Sequence, residues 1–186
     1  MSVSMYQDNF IKQYEKEYEF YKQIARIAHN VLEKEIISRG IKSIVSSRAK
    51  RSDRLKNKLE KRNQTKNYKS KIAIEKDVTD LAGLRVALYF PSDRKVIEEI
   101  VSEAFDIQET KSFPEDSHKP KLNKRFSGYW ATHYRVKLKH NDDIDKRFTE
   151  TIFEIQVASV LMHAWSEVEH DLIYKPFSGK LSDEEL

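Results

Sequence analysis

The chain contains no cysteine, and that absence removes disulfide frameworks, thiolate zinc sites and cysteine nucleophiles at a stroke. It fits a reducing cytoplasm. No apolar run approaches the roughly 20 residues that span a bilayer, so no membrane partner is expected. The N-terminus "MSVSMYQDNF" has no apolar export core, which again points to the cytoplasm. What remains is a charged chain, 34% Asp, Glu, Lys and Arg against 39% apolar, as in a soluble, helix-rich protein. Its 186 residues suit one domain, residues 1–186, with a core of its own.

Net charge is only +4, but it is unevenly spread. From Arg48 to Lys71 eleven basic residues face two acids, Asp53 and Glu60, and a second basic excess runs from Lys111 to Lys139. The tail "LSDEEL" is acidic. Such polarity suits a polyanionic ligand, nucleotide or nucleic acid.

Helical spacing of apolar residues predicts a helix from about Asp8 to Ser38, stopped at Gly40. "SSRAKRSDRLKNKLEKRN" reads as a short strand or loop and then a basic helix, about Ser52 to Arg62. "TKNYKSKIAIEKD" reads as loop. The run Leu84–Phe90 is a strand, after which Ser92 or Asp93 can cap the helix "RKVIEEIVSEAF". A strand near "FDIQETKSF" precedes a long polar loop, "PEDSHKPKLNKRFSG", of the kind that carries function. Strands at about Ala131–Lys139 and Phe148–Val157 and a final helix, "SVLMHAWSEVEHDLIYK", complete the reading. In that helix Val160, Leu161, Ala164, Trp165, Val168 and Leu172 form the apolar stripe expected to pack on the sheet.

Strand parity sorts the chemistry. Tyr134, Val136 and Leu138 share one face, and His133, Arg135 and Lys137 the other. Phe153, Ile155 and Val157 likewise oppose Glu154 and Gln156. If the apolar faces meet the core, Glu154 and Gln156 join His133 on the far side. Asp80 stands just before the Ala82–Gly83 turn and the strand of Arg85, where a carboxylate suits a magnesium ion, with Glu154 a candidate second ligand. Lys50, Arg54 and Lys58, at i, i+4 and i+8, can share one helical face.

Four stretches, "RAKRSDRLKNKLEKR", "DLAGLRVALYF", "SGYWATHYRV" and "FEIQVASVLMHAWSEVEHDLIYK", occur in an order that resembles the RelA/SpoT synthetase domain. The resemblance runs from about Arg48 to Lys175 and carries no upstream hydrolase domain, so the chain looks like a small alarmone synthetase. It implies a nucleotidyltransferase-like α/β (α+β) fold, a mixed sheet of about five strands flanked by helices. Within it, residues 1–45 form an N-terminal helical region, 46–175 the catalytic core, and 176–186 begin a C-terminal extension. The implied reaction moves the β,γ-pyrophosphate of ATP to the 3′-hydroxyl of GTP or GDP, with Mg²⁺ as cofactor, making (p)ppGpp. By motif, Asp80 and Glu154 would hold the metal, and Glu154 would also be the general base. Arg48 and Arg85 would sandwich the adenine through planar guanidinium stacking, and Lys50, Arg54, Lys56 and Lys58 would bind phosphates. The acceptor would meet Lys121, Lys124, Arg125 and Tyr129, with His133, Gln156 and His163 beside the guanosine.

The sequence departs from the family pattern in places. Trp130 stands where a basic residue is usual, Ala158 replaces an arginine, and Arg54 replaces a serine. Lost positive charge near the acceptor keeps a second acceptor in view, the 3′ end of tRNA, as in toxic relatives of this family. A non-catalytic nucleotide- or RNA-binding module is the third reading, which paired Asp80 and Glu154 disfavour. A homo-oligomer is compatible with all three.

Overall fold

A computed structural model of the chain describes residues 5–113, 130–141 and 144–168. Two helices open it, α1 (Met5–Lys16) and α2 (Tyr18–Ser38), followed by β1 (Ser43–Ala49), α3 (Ser52–Lys66) and α4 (Lys71–Asp77). Then come β2 (Ala82–Leu88), a 3₁₀ turn at Pro91–Asp93, α5 (Arg94–Ala104), β3 (Phe105–Phe113) and β4 (Ala131–Leu138). A short α6 (Lys146–Glu150), β5 (Phe153–Ser159) and α7 (Val160–Val168) complete the described elements. The five strands form one mixed sheet in the order β1-β2-β5-β4-β3, with β2 and β5 parallel and the other neighbours antiparallel. The expected α/β (α+β) architecture is borne out. No described helix is long and apolar enough to cross a membrane.

The sheet has one greasy face and one polar face, as strand parity predicts. Leu84, Val86, Tyr134, Val136, Phe153, Ile155 and Val157 are buried under α2, through Ile24, Ala28 and Leu32, and under α5, through Ile97, Ile100 and Val101. A second, smaller core lies apart from this one. It joins Phe10, Ile11 and Tyr14 of α1 to Leu55 and Leu59 of α3 and Ile74 of α4.

Several elements differ from the sequence-based expectation. The first helix is broken at Glu17, whose φ and ψ are −101° and 10°. The break lets α1 serve the small core and α2 the large one. "KSKIAIEKD" is not loop but the cap and the whole of α4, because Ser70 caps it by accepting from the Ala73 N–H at 3.2 Å and Ile74 is buried. The strand expected from Phe148 begins only at Phe153, since Asp145 caps α6 through the Arg147 N–H at 2.8 Å. Neither Ser92 nor Asp93 caps α5 by its side chain, because the 3₁₀ turn intervenes. Within the stripe expected on the last helix Val160 is half-buried, but Leu161, Ala164 and Trp165 do not pack on the sheet: Leu161 and Trp165 are 71% and 59% exposed. Val168 and Leu172 are outside the described side chains. Trp130 turns inward onto the large core, with the Arg94 guanidinium 5.2 Å from its ring. The loss of a cation there therefore does not alter the polar face.

Candidate active site

The polar face of the sheet is built of transverse rows set by register. Ser46 pairs with Arg85, Arg85 with Gln156, Gln156 with His133, and His133 with Lys111. One step along, Arg48, Gly83, Glu154, Arg135 and Glu109 form the neighbouring row. Paired residues point to the same side of a sheet, so one-residue alternation in five separate strands assembles both rows. A cleft opens over their β1–β2–β5 half, lined by Arg48, Lys50, Asp80, Arg85, Glu154 and Gln156 among others.

Asp80 lies at one end of this cleft. Its Oδ2 accepts from Lys50 Nζ and Lys58 Nζ, each at 2.7 Å, and all three side chains are largely buried. Burial alone would raise the Asp80 carboxyl, but the Lys58 and Lys50 ammonium groups together outweigh it and hold it at about 2. Its other oxygen, Oδ1, is buried with no hydrogen-bond partner. A buried carboxylate oxygen without a donor is the chemistry a hard cation satisfies. Glu154 faces the same cleft. Its Oε1 accepts from the Gln156 amide at 2.6 Å and lies 3.4 Å from His133 Nδ1. Burial lowers the His133 imidazole, only partly countered by Glu154, so the ring is neutral at pH 7. Among the described residues no group of three or more His, Asp or Glu could hold a metal ion. Asp80 and Glu154 could offer carboxylate oxygens to a Mg²⁺, an ion usually bound through one or two carboxylates together with waters and substrate phosphates.

Helix α3 is fixed by what it turns inward. Leu55 and Leu59 are buried, Lys58 reaches Asp80, and Arg62 Nη1 donates to Asp77 Oδ2 at 2.8 Å. These four positions follow i, i+3, i+4 and i+7, one face of a helix. Arg54 sits one turn before Lys58 and is half-buried, whereas Lys56 is exposed. Neither lines the cleft. Lys50 precedes the helix rather than standing on it, so the expected three-residue stripe is a pair, with Lys50 arriving from the end of β1.

The structure thus brings Arg48, Lys50, Asp80, Arg85, Glu154 and Gln156 to one cleft, with Lys58 behind Asp80 and His133 beside Glu154. His163 is turned toward β2, its Nε2 3.2 Å from the Val86 carbonyl. Lys121, Lys124, Arg125 and Tyr129 lie outside the described residues. Sequence reasoning missed Ser46 and Ser47, which also line the cleft. Parity with Arg48 would have found Ser46. It also missed that Arg135, on the Glu154 row, is bound to Glu109 at 2.5 Å.

The family described as "Region found in RelA / SpoT proteins" matches residues 47–178. Among solved structures, a GTP pyrophosphokinase family protein from Streptococcus pneumoniae is 24% identical, covering 98% of this chain and 83% of its own, with a TM-score of 0.62. Small alarmone synthetase 1 of Bacillus subtilis bound to its product pppGpp is 22% identical, covering 93% and 85%, with a TM-score of 0.66. The same protein bound to AMPCPP is 21% identical, covering 93% and 84%, with a TM-score of 0.62. Comparison with curated proteins gives no match.

The Asp80 cluster carries a test of its own. A carboxyl that ionises near 3.8 when unfolded and near 2 when folded contributes about 2 kcal/mol of stability above pH 4. That contribution is lost as pH falls through the folded value. Asp80→Asn should therefore lower unfolding stability by about 2 kcal/mol at pH 7 and by about half as much at pH 3. Urea titrations of both proteins at the two pH values check this; an equal deficit at both would show that the ion pairs are not its source.

Proposed function

Because the chain belongs to the RelA/SpoT family, we propose that it is a Mg²⁺-dependent pyrophosphokinase that transfers the β,γ-pyrophosphate of ATP to the 3′-hydroxyl of GTP or GDP. The observation that carries this reading is the partnerless, buried Asp80 Oδ1 in a cleft walled by two arginines and a second carboxylate. A pure binding module has no use for that atom. The nucleotides in the Bacillus structures, pppGpp and AMPCPP, are those a donor and an acceptor site of this kind would hold. The catalytic unit in this reading is residues 46–175, working in the cytoplasm, where its substrates are.

The donor occupies the β1–β2 side. Arg48 and Arg85 are adjacent in rows one step apart and offer two guanidinium planes to adenine. Lys50 and Lys58 neutralise the polyphosphate. Mg²⁺ held by Asp80 and Glu154 would supply the remaining positive charge and orient the phosphates. The acceptor approaches from the opposite side of Glu154, past His133 and Gln156. Glu154 takes the 3′-hydroxyl proton as that oxygen bonds to the β-phosphorus and the bond to the α-phosphate bridge breaks, releasing AMP. The Gln156 amide fixes the carboxylate for this step.

Incubating the protein with labelled ATP and Mg²⁺, and separately GMP, GDP, GTP, ATP or tRNA, tests the proposal. A 3′-pyrophosphorylated guanosine nucleotide is expected. Label appearing only on the tRNA 3′ end would give the acceptor to RNA instead, and ATP binding without transfer to anything would leave a binding module. Asp80→Asn and Glu154→Gln should each abolish transfer. Arg48→Ala and Arg85→Ala should weaken ATP binding by roughly 0.5–2 kcal/mol each, the value of guanidinium stacking.

Gly83, between Arg48 and Glu154 in their row, gives a subtler check. Its φ is not in the left-handed region, and a Cβ there would meet the Glu154 carbonyl oxygen at an ordinary 3.5 Å. Gly83→Ala should thus keep stability within about 1 kcal/mol of the parent. The added methyl stands on the cleft floor, so ATP affinity measured by calorimetry should fall. Unchanged affinity would place the donor elsewhere.

A further inference from the structure

Lys50 and Asp80 are thirty residues apart in sequence and meet only if two backbone segments hold a fixed offset. Strand pairing supplies part of that offset, ending at Ala49 with Ala82. One more rung follows, Lys50 N–H to the Leu81 carbonyl at 2.8 Å. Beyond it the ladder stops, and a side chain from α1 takes over. The Tyr14 hydroxyl donates its one proton to the Lys50 carbonyl at 2.5 Å, with the Leu81 carbonyl also within reach at 3.2 Å. Tyr14 is 2% exposed, and its ring is caged by Tyr18 and Tyr21 at 6.0 and 5.1 Å between centroids. Burial raises the phenol far above its ordinary value, so it remains a protonated donor across the working pH range.

We propose that Tyr14 is a positioning residue for the donor site, its hydroxyl clamping the Lys50 and Leu81 carbonyls so that Lys50 and Asp80 face the phosphates and metal in one geometry. This rests on the pyrophosphokinase reading above. Tyr14 acts through backbone, on the carbonyl of Lys50 itself and on that of Leu81, the residue that follows Asp80. Without the clamp the rung at Lys50 is the end of an open ladder, free to fray into the cleft, and the ammonium–carboxylate pairs lose a fixed base. Displacements near 1 Å at reacting groups can cost on the order of a hundredfold in rate.

Tyr14→Phe removes the hydroxyl and keeps the ring. Gln7→Met is the companion variant, since Gln7 also ties α1 to α3, through the Leu59 carbonyl at 3.0 Å, but away from the cleft. Tyr14→Phe should lower kcat about tenfold or more while leaving the acceptor KM within about twofold. Gln7→Met should lower the melting temperature comparably and leave kcat within about twofold. Installing 4-aminophenylalanine at position 14, which keeps a donor at the ring tip, should recover kcat to within about threefold of the parent. Amide exchange over residues 48–52 should quicken in Tyr14→Phe and not in Gln7→Met. An unchanged kcat in Tyr14→Phe, an equal loss in Gln7→Met, or no recovery with the amine would each overturn the proposal. If the wild-type protein transfers pyrophosphate to no acceptor, the function fails instead, and the clamp is judged by exchange alone: unchanged protection at 48–52 would refute it.

Discussion

The structure turns on one carboxylate held by two ammonium groups. Asp80 is largely buried, and so are Lys50 and Lys58. Taking such charges out of water is expensive, and the attraction repays it only when the geometry is good. Here both contacts are 2.7 Å. The cluster carries a net positive charge, two ammonium groups against one carboxylate, and it lies beside Arg48 and Arg85. A cation alone meets repulsion there, and a polyphosphate alone meets the two carboxylates. A metal–polyphosphate pair satisfies both. In the pyrophosphokinase reading the metal would meet the partnerless Asp80 Oδ1 while Lys50 and Lys58, on Oδ2, would hold that carboxylate in place and face the phosphates.

That arrangement depends on the sheet keeping its faces straight. Glu154, Gln156, Arg85 and His133 share a side because each is flanked by residues committed to the core: Phe153, Ile155 and Val157 on β5, Leu84 and Val86 on β2, Thr132 and Tyr134 on β4. A slip of one residue in β5 would bury Glu154 among α2 and α5 and turn Phe153, Ile155 and Val157 off the core. The hydrophobic pattern that builds the large core therefore also fixes the register of the cleft residues, and no separate device is needed for it.

Those features were legible in the sequence because alternation is local. The polar faces of β4 and β5, with Glu154, Gln156 and His133 on them, follow from period-two patterns that can be traced along a few residues, whereas the count of about five strands and the place of Asp80 beside Glu154 came from the family resemblance. What escaped was set elsewhere. Helix α4 is too short and polar to announce itself; its Ile74 matters only because α1 and α3 are there to cover it. The start of β5 was misplaced since "KRFTE" has strand-like residues, yet Asp145 caps it into a helical turn. The final helix was assigned the wrong inward face: an apolar stripe identifies a face but not what lies opposite it, and Leu161 and Trp165 turn outward. Trp130 shows the converse. Its parity with Tyr134 was visible, and the structure follows the parity and packs it, half-buried, against the large core.

The division into two cores explains why a short N-terminal helix matters to chemistry some seventy residues away. Helix α3 supplies only Leu55 and Leu59 to any core, too little apolar surface to hold a highly charged helix in place. Its other inward groups, Lys58 and Arg62, are cations that need Asp80 and Asp77 in turn. The helix is stable in position only when α1 covers the leucines and the 77–80 turn presents both carboxylates. Helix α1 contributes to each side of that arrangement, Phe10 and Ile11 to the leucines and Tyr14 to the backbone at Leu81. The break at Glu17 makes this possible, since an unbroken helix would carry Tyr14 along the line of α2, over the large core and away from Asp80. The segment that looks like a mere helical preface is thus the wall against which the basic helix α3 is set.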